Sequence, residues 1–191
     1  VTVIGESAFR DCGKLASVKL PSELKVIGRS VFGGCEKLTA VRIPKGVTSI
    51  GEGVLSGCLE LRKIEVGQGN EVYSGVSNCL IEKSTKKLIA GCRTSVIPSN
   101  GSVTTIGSGA FYGHTNLESV VIPNTVTTIE SSAFAGSGLT SIAIPDGVVS
   151  LGYGVFQNCK SLTSVTIPAS LANFGSYMFF NCGNLTTVEF K

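Results

Sequence analysis

One order of residue types returns about every 23 positions along this chain, and that recurrence limits its fold more than any other property. In Phe32-Gly33-Gly34-Cys35-Glu36-Lys37-Leu38-Thr39-Ala40-Val41-Arg42-Ile43-Pro44 an aromatic residue leads to Cys, then Leu, then an alternating apolar pair, then Pro. The aromatic position is filled by Phe9, Phe32, Leu55, Phe111, Phe134, Phe156 and Phe179, at steps of 23, 23, 56, 23, 22 and 23 residues. Self-similarity at such a period belongs to stacked repeats, in which each copy contacts only its neighbours.

Each copy reads as one turn of a coil. In Val41-Arg42-Ile43 alternate side chains face opposite ways, so Val41 and Ile43 turn inward and Arg42 faces solvent. Pro44 lacks the N–H a ladder would use and ends the strand. An Ile-Gly pair such as Ile27-Gly28 then turns the chain. Segments such as Glu6-Ser7-Ala8-Phe9 and Glu52-Gly53-Val54-Leu55 are expected to form short helical turns that drop the aromatic or leucine inside. A single copy cannot bury this apolar set, whereas stacked copies can.

The run Leu-x-x-Val-x-Ile resembles the leucine-rich-repeat core Leu-x-x-Leu-x-Leu. The predicted fold class is therefore α/β, rich in β: a leucine-rich-repeat solenoid, wound as a right-handed superhelix with a parallel β-sheet and short helical turns. About eight rungs spaced at about 4.8 Å give a body roughly 35 to 40 Å long. The Asn that usually follows the core is missing, with Glu23, Gly46, Thr125, Gly147 and Ser170 near its place. The whole period, Ile-Gly-x-x-Ala-Phe-x-x-Cys-x-x-Leu-x-x-Val-x-Ile-Pro, resembles the BspA-like, or Treponema-type, leucine-rich repeats over essentially the entire chain. That resemblance implies surface or secreted proteins of host-associated bacteria and some protozoa, used in adhesion and host-protein binding, and it brings no catalytic residues.

The chain opens at Val1-Thr2-Val3-Ile4-Gly5, in the middle of a repeat, and closes at Lys191 where other copies have Pro. The expectation is a single domain over 1–191, a slice of a longer solenoid. The period breaks after Val66, and residues 68–105 read as an enlarged repeat with a β-hairpin, because two apolar runs flank a polar turn at Thr85-Lys86. Such a hairpin could set Cys79 and Cys92 opposite one another, where a disulfide can form; two unpaired thiols are the alternative. The other five cysteines share one repeat position, which fits buried thiols behaving as small hydrophobes. No Cys-x-x-Cys spacing occurs, so no metal site is expected. His114, the lone histidine, occupies the Cys position of its copy and reads as a packing residue.

A net charge of +3 is too small to imply a nucleic-acid partner, but residues 1–98 carry 14 Lys/Arg against 9 Asp/Glu while residues 99–191 carry 2 against 4. No apolar run reaches the roughly 18 residues that span a bilayer, so membrane insertion by this segment is not expected. No cofactor motif is present either: the glycines of Gly107-Ser108-Gly109 are the repeat's own turn glycines. Tyr153, Tyr177 and Phe180 flank the inward Phe in the last copies and form either a contact patch or a packing surface for a neighbouring repeat.

The better binding candidate is the outward row of the strands. Lys19, Arg42 and Lys63 form a basic stripe, Glu65 stands beside them, and Ser119, Ser141, Ser164 and Thr166 continue the row with small hydroxyl side chains. Taken with this row, the resemblance to the BspA-like repeats implies a non-catalytic protein-binding or adhesion module of a cell-surface or secreted protein, whose partner is a protein such as one of the host extracellular matrix or host surface. The alternatives are a structural spacer without a ligand and an enzyme. The last is disfavoured because the only carboxylates in the row, Glu65 and Glu189, sit many rungs apart.

Overall fold

The computed structural model describes residues 1–171 and 174–191. Its strands are β1 (Val3–Ile4), β2 (Val26–Ile27), β3 (Ala40–Ile43), β4 (Ser49–Ile50), β5 (Lys63–Val66), β6 (Tyr73–Val76), β7 (Cys79–Glu82), β8 (Lys87–Ala90), β9 (Thr105–Ile106), β10 (Thr128–Ile129), β11 (Ser141–Ala143), β12 (Ser150–Leu151), β13 (Ser164–Ile167) and β14 (Thr187–Phe190). They wind into a β-solenoid of about eight turns. One face carries the longer parallel strands, paired as β3–β5 and β11–β13–β14; a second carries the two-residue strands, paired as β1–β2–β4 and within β9, β10 and β12. Register equals the repeat, since Val41 lies opposite Ile64 and Val165 opposite Val188. Along β3 the burial alternates as the strand period requires, with Val41 and Ile43 inside and Arg42 out.

The expected short helical turns are not found: among the described residues there is no helix. Two positions of each turn adopt positive φ, as at Ser7 (58°) and Asp11 (58°), Ser30 (50°) and Gly34 (73°). A right-handed helix cannot pass through such residues. The alternation aims every second N–H at the neighbouring rung: Ser7, Phe9 and Asp11 donate to the carbonyls of Arg29, Val31 and Gly33, while Ala8, Arg10 and Cys12 close local turns onto Gly5, Ser7 and Phe9. Stacking thus supplies the hydrogen bonds that a helix would have kept within itself.

The turns deliver their rings to a central column. Phe111 stacks on Phe134 at 5.1 Å and Phe134 on Phe156 at 5.5 Å, with planes within 8° of parallel. Phe9 meets Phe32 in the same way at 5.6 Å. Each such pair adds about 0.5–1.5 kcal/mol beyond its buried area. Beside this column each buried Cys of the repeat position donates its thiol to the carbonyl of the preceding rung's aromatic, Cys35 to Phe9 (3.1 Å), Cys58 to Phe32 (3.1 Å), Cys159 to Phe134 (3.2 Å) and Cys182 to Phe156 (3.0 Å).

After Val66 the chain leaves the coil and builds an antiparallel meander, β6 against β7 and β7 against β8, with a bulge between Leu80 and Ile81. β8 then pairs in parallel with β9 and so rejoins the second ladder. The meander stands across the interior as a partition: Cys79, Ile81 and Leu88 pack into the C-terminal core, Leu80, Ala90 and Tyr73 into the N-terminal one. It also closes the ladders it interrupts. The Tyr73 hydroxyl accepts from Ile50 N (3.0 Å), and Asn70, 3% exposed, donates to the Val47 carbonyl (3.0 Å) while accepting from Tyr73 N (2.7 Å). Cys79 and Cys92 are both free and buried, and they belong to the two different core clusters.

Candidate protein-binding face

Pairing of β3 with β5 places Ala40 beside Lys63 and Arg42 beside Glu65. The row that begins with Arg42 therefore continues to Glu65, and Lys63 stands one row away. Lys63 Nζ lies 2.8 Å from Glu65 Oε1, and this hydrogen bond, with the nearby charge of Lys63 and Arg42, holds the Glu65 carboxyl below its usual range. Lys19 is exposed on the preceding rung, outside any regular strand.

The meander cuts the face in two. Thr94 donates to the Arg62 carbonyl (2.6 Å) and Asn78 Oδ1 accepts from Ile64 N (3.4 Å), so the groups that would have paired with the next strand are taken by side chains. Ser119 is exposed and Val121 is 82% exposed on a stretch without regular pairing. Beyond it Ser141, Ser164 and Thr187 form one row and Ala143, Thr166 and Glu189 the next. The face is thus a basic patch and a hydroxyl patch rather than one continuous strip.

At the end of the basic patch a groove of about 780 Å³ runs past Pro21 and Pro44, with Lys19, Arg42 and Lys45 on its walls. Lys45 was not expected from the sequence, because it follows the proline and lies off the strand whose alternation marks the outward row. A legible signal existed, in that the position after Pro differs from copy to copy: Ser22, Lys45, Asn124, Asp146. On the turn side a second groove of about 530 Å³ has Ser30, Ser56, Ser131 and Tyr112 among its lining. Farther along, the half-exposed rings of Tyr153, Tyr177 and Phe180 meet at 5.1 and 5.5 Å.

Among the described residues the titratable groups of the interior do not converge on a reaction centre. Burial pushes the thiols of Cys58 and Cys79 up to about 12, which keeps them protonated. Burial also depresses His114 to about 4; the nearby Leu55 carbonyl opposes the shift but does not meet hydrogen-bond geometry with either ring nitrogen. Among the described residues no three His, Cys, Asp or Glu side chains are grouped to hold a metal, and no helix is long and apolar enough to cross a membrane.

Parallel ladders in register with a 23-residue repeat, a column of stacked rings and a bare outward face define a leucine-rich-repeat solenoid. The BspA type leucine rich repeat region matches the chain in six copies over residues 2–85 and 85–191, and the chain belongs to that family. A leucine-rich repeat protein from Eubacterium ventriosum has a similar structure, with a TM-score of 0.72 at 26% identity over 98% of this chain and 63% of that one. One from Bacteroides ovatus matches at 0.65 and 27%, over 100% of this chain and 53% of the other. A leucine rich cell surface protein from Faecalibacterium prausnitzii matches at 0.61 and 24%, over 100% and 70%. The chain thus spans between about half and seven tenths of these solved structures. No curated protein sequence matches it.

Proposed function

We propose that this chain is a non-catalytic protein-binding or adhesion module of a cell-surface or secreted protein, and that it takes a host extracellular-matrix or surface protein on the exposed face of its longer strands. The observation that carries this reading is the outward row itself. Arg42, Lys63 and Ser141 stand in solvent while the residues between them are buried, so contact residues can vary without touching the core. On this reading Lys19, Arg42, Lys63 and Glu65 serve the basic patch, and Ser119, Ser141, Ser164 and Thr166 give the second patch a low relief of hydroxyls against which a partner packs closely. Cell-surface or secreted placement follows the habit of the family. A catalytic role has less support, because Glu65 and Glu189 lie on separate sheets and the Glu130 carboxylate that accepts from the Ser108 hydroxyl is already held by Lys87.

The test is binding of the intact chain to a panel of immobilised matrix and host-surface proteins. Saturable capture by at least one, weakened by Arg42→Glu with Lys63→Glu or by Ser141→Lys with Ser164→Lys, is the expected result. No capture across the panel leaves the chain as a spacer.

A further inference from the structure

The corner that follows the long strand is closed by a proline in five copies, at Pro21, Pro44, Pro123, Pro145 and Pro168, yet the corner at Pro21 and Pro44 gathers three cations. In the first two copies it presents Lys19, Arg42 and Lys45 around the 780 Å³ groove. The equivalent positions in the C-terminal half are Val121, Ala143 and Asp146, around a groove of about 370 Å³ whose cation, Lys191, comes from the end of the chain rather than from these positions. Since the fold forms this corner equally well with valine, alanine and aspartate, the three cations are not required to build it. Nor are they used to hold it: among the described residues no carboxylate lies within ion-pair distance of Lys19, Arg42 or Lys45. Glu65, the acid nearest in register to Arg42, is occupied by Lys63 at 2.8 Å.

The rest of the groove is largely apolar. Leu20, Pro21 and Pro44 line it beside the cations, with Ser22 and Gln68 as its uncharged polar members, and Leu20 and Pro44 are only half-buried. A sulfated or phosphorylated glycan would answer the charges but leave these side chains uncovered. An extended peptide answers both, with carboxylates on the ammonium and guanidinium groups and apolar side chains on the prolines.

We infer that the groove between Pro21 and Pro44 seats an extended acidic peptide segment of the partner, whose carboxylates pair with Lys19, Arg42 and Lys45 and whose apolar side chains lie on Leu20 and the two prolines. This rests on the protein-binding reading and names the place and the ligand chemistry within it.

The experiment is fluorescence anisotropy of the whole chain with a labelled synthetic peptide alternating glutamate with leucine and proline. A peptide with lysine in place of glutamate, and heparin as a sulfated glycan, are run alongside. The expected result is saturable binding of the glutamate peptide only, weaker at higher ionic strength, and lowered about tenfold or more by Lys19→Ala, Arg42→Ala and Lys45→Ala together. The triple variant Lys14→Ala, Lys37→Ala and Lys160→Ala removes the same charge from exposed positions outside the groove and should bind as the parent does. Equal losses in the two triple variants, binding of the lysine peptide, or binding of heparin alone would overturn the proposal. Circular dichroism of each variant confirms that it is folded. The failures separate: a matrix protein captured equally with and without the three cations removes this groove and leaves the module, whereas capture of nothing on the panel removes the module while the peptide titration still gives its own answer.

Discussion

Lys87 Nζ lies 2.7 Å from Glu130 Oε1, joining the meander to a rung that comes two turns of repeat later. Glu130 stands where other copies place the glycine of the Ile-Gly pair, such as Gly107 and Gly152. Its second oxygen accepts from Ser108 N (2.9 Å) and Ser108 Oγ (3.2 Å), so one carboxylate ties the inserted strands to two successive turns.

Burial works to raise the Glu130 pKa, but the hydrogen bonds from Lys87 and Ser108 and the charge of Lys87 outweigh it and hold the carboxyl below its usual range. A depressed carboxyl contributes stability that is present above its unfolded pKa and lost as pH falls through the folded value. Glu130→Ala should therefore cost about 1–2 kcal/mol near neutral pH, and Lys87→Met about half of that, since the pair is partly solvated. Urea unfolding of both single variants and the double variant measures this; a coupling of zero would mean that the ion pair does no more than fill space.

His114 adds to the same sensitivity to acid. It is 1% exposed with both ring nitrogens unpartnered, and its pKa falls to about 4 from an ordinary 6.5. The folded chain thus resists a proton that the unfolded chain accepts. The fold should be at full strength above about pH 6.5 and lose about 3 kcal/mol as the pH drops toward 4. Replacing His114 with Cys, the residue at this position in most copies, should flatten that slope. Unfolding free energies of parent and variant across this range are the check.

Gly91 is small for a steric reason. A Cβ there would sit inside the ring of Phe111, and its backbone has no positive φ to explain the choice otherwise. Gly91→Ala should cost about 1–3 kcal/mol by overpacking. Adding Phe111→Leu, which copies Leu55 of the neighbouring turn, should recover part of the loss in thermal denaturation. An Ala variant as stable as the parent would show that the ring has room to move.

The thiols should divide by burial. Cys12 is exposed, and the other six are buried. In the folded chain one thiol should react promptly with an aromatic disulfide reagent, and after denaturation all seven, with or without prior reduction. Five thiols before reduction and seven after would reveal a Cys79–Cys92 bond.

Much of the coil was readable because its signals are local and repeated. Val41 and Ile43 alternate with Arg42, and a period of 23 residues is itself the register that sets Val41 on Ile64. The turns were misread because Ser7-Ala8-Phe9 has a helix-compatible composition, and nothing within the segment says that its amides bond to Arg29 and Val31 on another rung. Residue type alone groups Lys19, Arg42 and Lys63 as a basic stripe, whereas register puts Glu65 beside Arg42. Lys45 escaped because it belongs to a corner, where no alternation marks inside from outside.

The sequence alone determined that apolar positions recur at a spacing only stacked turns can bury, which makes a solenoid and assigns each residue an inner or outer side. Tertiary structure decided what those outer residues meet. The meander divides the face into two patches, Lys63 turns to Glu65, and Lys19, Arg42 and Lys45 converge on one groove. Burial pattern is set within a copy by the strand period, whereas charge pairing and groove shape depend on residues about 23 or more positions apart whose approach exists only once the copies are stacked.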